Sequence, residues 1–213
     1  MIDYTAIGKL IVEEVVNEPG ICFYPAGFKP PHKGHFKAAK NLASRNYVTE
    51  VVIIISRKPE EGITPEESLT IWNMYLKAEP NPKIKVRIAE ADSPIKDIFG
   101  YLGGHQEVSA VYVVGGDDEK DDQEYLTSIQ NKYPNIVKTI SIHEKDGRVN
   151  SFYVRELLRN HDYESFKKTI PEAAYNKGYA PQIFKMLTAT IQPAAVEEPA
   201  PKAPPVPNEP EQP

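Results

Sequence analysis

Two histidines, His32 and His35, stand three residues apart in the stretch CFYPAGFKPPHKGHFKAAKNLA, Cys22 to Ala43. Apolar residues open the stretch, Gly27 and the pair Pro30 and Pro31 interrupt it, and Gly34 lies between the histidines. A glycine turns the chain sharply and bares backbone N–H groups, while the prolines stiffen the loop without adding donors. The pattern that follows predicts a helix beginning near Gly34, so both imidazoles sit at its start and can face the same way. A helix N-terminus offers unpaired N–H groups and a partial positive charge, which suits phosphate. Gly34 has no side chain to hold a phosphate off, and each neutral imidazole can donate one hydrogen bond to a phosphoryl oxygen. Together these parts suit a nucleotide whose α-phosphate is under attack. Two other readings stand beside this one. The histidines can be ordinary surface residues, or metal ligands completed by a third group such as Asp117. A three-residue spacing at a Pro-rich turn is not the helical His-x-x-x-His of zinc enzymes.

Such a loop needs a scaffold, and the flanking sequence predicts one. ICFYP reads as a buried strand, and Glu50 to Ser56, EVVIIIS, is a β-branched run typical of a strand covered on both faces. GHFKAAKNLASRN between them has helical spacing. Thr64, Pro65 and Glu67 form a helix start of cap, first-turn proline and capping-box acid. Strands KIKVRIAE, AVYVVGG and IVKTISI then alternate with helices PIKDIFGYLGG and DDQEYLTSIQNKYP, and SFYVRELLRNHDYESFKKTIP gives two further short helices. The alternation predicts an α/β fold: a Rossmann-like parallel sheet with helices on both faces and a helical C-terminal part. Trp72, Tyr75 and Leu76 fall at helical spacing and read as core.

Ligands of parallel sheets bind beyond the carboxyl ends of the strands. Four segments meet that condition: Gly27 to His35, Arg57 with Lys58, Gly115 to Asp118, and Ser151 to Arg155. Arg57 and Lys58 either neutralise a phosphate of a second substrate or belong to a solvated charged loop. Lys29 and Lys33 carry the same two readings, with Lys29 placed between the turn and the histidines. Asp118, Asp121 and Asp122 either attract magnesium or form an exposed acidic helix start.

The motif PHKGH, within AGFKPPHKGHF, resembles the His-x-Gly-His signature of the cytidylyltransferase-like nucleotidylyltransferase superfamily, and looks closest to small nucleotidyltransferase-like proteins of tailed bacteriophages. The likeness runs over about residues 21–171 of the sequence. It implies transfer of a nucleoside monophosphate from ATP or CTP to a small phosphorylated acceptor, with pyrophosphate leaving and magnesium bound with the triphosphate. By resemblance His32, His35 and Arg155 are the catalytic residues. Ala26, Gly27, Phe28, Lys29, Gly34, Gly115, Asp117 and Ser151 bind the nucleotide, and Arg57 and Lys58 receive the acceptor phosphate. RVNSFYVRELL matches the family's second signature at Ser151 and Arg155 and departs from it at Asn150, Phe152 and Tyr153. No general base is needed, since the attacking phosphate is already an anion. The alternative function is a catalytically weak or inactive nucleotide-binding or virion-associated interaction module, motivated by Phe152 and by the C-terminal tail.

Bulk properties set outer limits. The chain has 213 residues and a formal net charge of −5, which argues against a general nucleic-acid binder. Its single cysteine, Cys22, excludes an intrachain disulfide framework and a multi-cysteine zinc site, and suits a reducing, intracellular setting. Glu13 and Glu14 interrupt the first apolar run, so no signal peptide is expected, and no apolar run is long enough for a membrane span. The implied location is cytoplasmic, in the host cytoplasm if phage-encoded. The expected organisation is an N-terminal helix over 1–20, a nucleotidyltransferase-like domain over 21–191, and a disordered tail over 192–213. That tail holds eight of the chain's 20 prolines and no aromatic residue, so it cannot build a core, and it is a candidate tether for a protein partner.

Overall fold

The computed structural model describes residues 19–105, 107–114, 119–136, 138–142 and 149–191. Five strands, β1 (Gly20–Ala26), β2 (Val48–Ile55), β3 (Ile84–Ile88), β4 (Ala110–Val114) and β5 (Lys138–Ile142), form one sheet in the order β3-β2-β1-β4-β5. Every neighbouring pair is parallel. Helices α1 (Lys33–Ala43), α2 (Pro65–Ala78), α3 (Pro94–Gly104) and α4 (Glu119–Lys132) make the crossovers. This is the Rossmann-like α/β architecture expected from the alternation. The expected N-terminal helix, apart from residues 19 and 20, and the tail over 192–213 lie outside the described residues, as do Gly115 to Asp118.

Strand geometry explains the two cores. Side chains alternate across a strand, so Cys22, Tyr24, Val51, Ile53 and Ile55 enter one cluster with Phe36, Trp72 and Tyr75. Phe23, Val52, Ile54, Val111 and Val113 enter the other with Ile98, Leu102, Leu126 and Ile129. In β2 the whole run Val51–Ile55 is buried, as a β-branched central strand requires. Gly20 opens β1 because a Cβ there would lie 2.5 Å from the Ala110 carbonyl oxygen.

After β5 the chain forms α5 (Ser151–Arg159), α6 (Tyr163–Phe166) with a single 3₁₀ turn, α7 (Glu172–Asn176) and α8 (Tyr179–Thr188). The first two are the two short helices expected over SFYVRELLRNHDYESFKKTIP, and α7 and α8 add to them. Pro171, Gly178 and Pro181 punctuate that segment and hide its periodicity. Gly178 has φ +75° and turns the chain into α8, where Pro181 sits in the first turn, a position that tolerates it. Val154, Leu158, Phe166, Ile183 and Leu187 join the first cluster, so this part packs on the sheet face that carries α1 and α2. Trp72 and Tyr75 are fully buried, as their spacing predicted. No described helix is long and apolar enough to cross a membrane.

Candidate active site beyond the first strand

The loop from Gly27 to His32 leaves β1 at the point where the sheet order reverses between β1 and β4. In sheets of this kind that is where ligands bind. Phe28 takes the left-handed conformation, φ +53°, rare for a bulky residue, and its ring is buried edge-on against Tyr24, His35 and Trp72. Ser68 Oγ from α2 donates to the Phe28 carbonyl at 2.8 Å, and Tyr75 Oη donates to the Pro31 carbonyl at 3.1 Å. The Lys29–Pro30 peptide is cis. The left-handed backbone of Phe28 persists only where its surroundings hold it, and α2 supplies that hold through Ser68.

The histidines form a capping box from residue types that rarely make one. His32 is the N-cap of α1, and its Nδ1 accepts the Gly34 N–H at 3.1 Å. His35, at the third helical position, returns the arrangement: its Nδ1 accepts the His32 N–H at 3.4 Å. The rings stack with centroids 3.7 Å apart. An Nδ1 that accepts leaves the proton on Nε2 in both rings. Burial, reinforced by Lys33, lowers the His32 pKa to about 4. Burial and the neighbouring His32 hold His35 well below the usual imidazole range. Both rings are therefore neutral near pH 7. His32 is 1% exposed, and its Nε2 has no partner among the described residues. The sequence signal for this device is the His-x-x-His spacing itself, which copies the Ser/Thr-x-x-Glu/Gln capping box.

The second signature docks on the first loop. Asn150 caps α5 by accepting the Tyr153 N–H at 2.8 Å. Ser151 Oγ donates to the Pro30 carbonyl at 3.2 Å, and Arg155 Nη1 donates to the Lys29 carbonyl at 2.7 Å. Phe152 and Tyr153 are exposed, so the Phe152 ring stands in solvent rather than filling the space beside the loop.

Other predicted residues arrive elsewhere. Ala26 ends β1, and its carbonyl accepts the Ser56 N–H at 3.0 Å. Gly34 is buried in the first turn of α1. The Lys29 side chain turns inward: its Nζ donates to the carbonyls of Gly27 at 3.0 Å and Ser56 at 3.1 Å. Burial lowers its pKa to about 8, against the opposing pull of Glu60, Glu66 and Glu67. Lys29 thus ties two loops together. Arg57 reaches the other way, toward β3, where Nη1 donates to the Glu90 carbonyl at 2.8 Å. It lines a hollow of about 510 Å³ with Thr64, Glu66, Ile88 and Ala89, and the exposed Lys58 follows it. Gly115 and Asp117 lie outside the described residues. Among those described, no three His, Cys, Asp or Glu side chains cluster as metal ligands.

Two carboxylates escaped the sequence reading. Glu60 and Glu61 come from the β2–α2 loop to Arg155, at 2.9 Å from its Nη2 and Nε respectively. Glu61 also pairs with Arg159, which pairs in turn with Glu156. The sequence marks this loop only as charged, and nothing local names the arginine it meets. A larger hollow, about 800 Å³, opens beside α1 between Lys33, Lys37 and Pro171. It lies on the helix face away from His35, which turns inward against Phe28.

No family model and no curated protein matches the sequence. Solved structures do. Plasmodium falciparum nicotinic acid mononucleotide adenylyltransferase, complexed with NaAD and again with APC, superposes with a TM-score of 0.51 and 14% identity, over 79% of this chain and 98% of that one. This chain shares their fold. The alignment covers nearly all of the adenylyltransferase.

Proposed function

We propose that the protein is a nucleotidyltransferase that moves a nucleoside monophosphate from ATP or CTP to a small phosphorylated acceptor and releases pyrophosphate. The observation that carries this reading is the histidine pair: two stacked, neutral imidazoles at a helix start, each with its proton on Nε2, the Nε2 of His32 being buried with no partner among the described residues. A buried donor without a partner costs about 1–3 kcal/mol. A phosphoryl oxygen brought to it removes that cost and gains a hydrogen bond in a dry site. Charge building on the α-phosphate in the transition state meets donors already in place. The fold shared with adenylyltransferases supports the same reading.

In this reading the triphosphate lies over Gly27, Phe28 and Gly34, with Ser151 and Arg155 on its far phosphates and Gly115 and Asp117 toward the sugar and base. The acceptor enters the hollow at the ends of β2 and β3, where Arg57 and Lys58 receive its phosphate. Magnesium arrives with the triphosphate. Glu60 and Glu61 of the neighbouring β2–α2 loop are paired to arginines, so the reading gives them no part in holding the metal.

The test is pyrophosphate release with magnesium, ATP or CTP, and a panel of phosphorylated acceptors, with His35→Ala as control. Release that requires one triphosphate, one acceptor and His35 establishes the activity and names both substrates. A second reading, a nucleotide-binding module without turnover, is favoured by the ion pairs that already occupy Arg155. Triphosphate binding without pyrophosphate release across the panel would select it.

A further inference from the structure

Arg155 is buried, with its side chain 7% exposed, yet it is surrounded by anions from this chain rather than left open. Glu60 Oε1 is 2.9 Å from Nη2, and Glu61 Oε2 is 2.9 Å from Nε. The other oxygen of Glu60 lies over the nucleotide loop: a Cβ on Gly27 would meet Glu60 Oε2 at 3.7 Å and no other described atom within 4 Å. One carboxylate thus spans from the glycine turn to the arginine of the second signature. That is the place an oxyanion of a bound polyphosphate would take.

The loop that delivers these carboxylates is built as a small unit. Glu60 and Ile63 exchange backbone hydrogen bonds at 3.1 and 3.0 Å. Glu61 and Gly62 both have positive φ, +51° and +87°. The left-handed region is unfavourable for a non-glycine residue, and Glu61 holds it while its carboxylate bridges Arg155 and Arg159. Ile63 is fully buried and anchors one end of the turn, whereas the Glu60 and Glu61 side chains are 49% and 33% exposed. The carboxylates can therefore swing into water without unpacking the core.

We propose that Glu60 and Glu61 form an anionic latch on Arg155, which a polyphosphate chain must displace before the second signature can engage it. The latch rests on the nucleotidyltransferase reading above and adds to it a selection step. A ligand with several linked phosphoryl groups replaces both carboxylates at once. Affinity is reduced by the fraction of time that the latch is open. The latch also keeps the buried guanidinium from standing uncompensated when the site is empty.

The experiment is calorimetric titration of the full chain with ATP, CTP and inorganic triphosphate in magnesium, for wild type, Glu60→Gln and Glu61→Gln, with adenosine and cytidine as phosphate-free controls. The amide keeps the shape of the carboxylate and removes its charge. Each variant is expected to bind the triphosphate that wild type binds, and inorganic triphosphate, about tenfold more tightly, with the nucleoside controls unchanged. Both variants are expected to melt below wild type when empty and to gain more from added triphosphate. Folded variants whose triphosphate affinity equals or falls below wild type overturn the latch and leave the nucleotidyltransferase reading standing. Tighter binding in the variants together with no pyrophosphate release, under any acceptor, supports the latch and defeats the transferase. No triphosphate binding by wild type or by either variant overturns both.

Discussion

Two loops leave neighbouring strands at the same edge of the sheet, one with a single formal charge, Lys29, and the other with four, Arg57, Lys58, Glu60 and Glu61, and they differ in almost every physical respect. The first, Gly27 to His32, is dry: Phe28, Lys29 and His32 are all at most 3% exposed. The second, Ser56 to Thr64, keeps Arg57 and Lys58 in solvent, buries Ile63, and pairs its two partly exposed carboxylates, Glu60 and Glu61, with Arg155. The reason is cover. α2 and α5 close over the first loop through Ser68, Tyr75, Ser151 and Arg155. The second loop lies outside that cover and contributes to it from the rim. A charge in the first loop must find a fixed partner or become neutral. Lys29 does the former with two carbonyls, and the histidines do the latter.

The contrast is broken most sharply at His35. In the proposed reaction His35→Ala lowers pyrophosphate release by roughly 100-fold to 1000-fold, the scale of losing one preorganised donor. A folded variant with wild-type turnover would defeat that assignment.

Acid reads the same loop through stability. The unfolded chain protonates its histidines near 6.5, while the folded His32 waits until about 4 and His35 also lies well below 6.5. Between those values the unfolded state binds more protons, so stability is full above pH 6.5 and is lost as pH falls toward 4. The slope is about 1.4 kcal/mol per pH unit for each histidine. Urea unfolding at pH 7 and pH 5 measures it. A His32→Gln variant should reduce the slope, and equal slopes in both proteins would show that His32 is not the group concerned.

Lys29 and Lys58 compare the loops with one residue type. Lys29→Met strands the Gly27 and Ser56 carbonyls and is expected to cost about 1–3 kcal/mol by chemical denaturation. Lys58→Ala, on the exposed loop, should stay within about 0.5 kcal/mol. Similar losses at both positions would erase the distinction between dry and wet loop. The smallest effect belongs to Arg57→Ala: a rise of a few-fold in KM for the acceptor with kcat unchanged, as expected when a partly exposed charge contributes only ground-state binding.

Much of the fold was legible because its signals are local. The run Val51–Ile55 announces a doubly covered strand, and Thr64 with Pro65 and Glu67 announces α2 before any contact is known. The spacing of His32, Gly34 and His35 places them at one helix start, and the structure seats them there. Other parts carried no local mark. Lys29 sits in the sequence like a phosphate ligand, but its ammonium is drawn to the carbonyl of Ser56, 27 residues on. Phe152 stands in solvent because Val154, Leu157 and Leu158 take the buried face of α5.

What the sequence by itself determined is the set of elements and their caps. These follow from side-chain periodicity and from hydrogen bonds that close within three or four residues. Only the tertiary structure decided where the charges go. Arg155 meets Glu60 and Glu61 because the order β3-β2-β1-β4-β5 sets the loop after β2 beside the loop after β1, and α5 packs across it. Opposite charges attract without regard to sequence separation, and any of the chain's carboxylates satisfies an arginine equally well on paper. Which one reaches it is settled by the packing of the strands and helices that carry them.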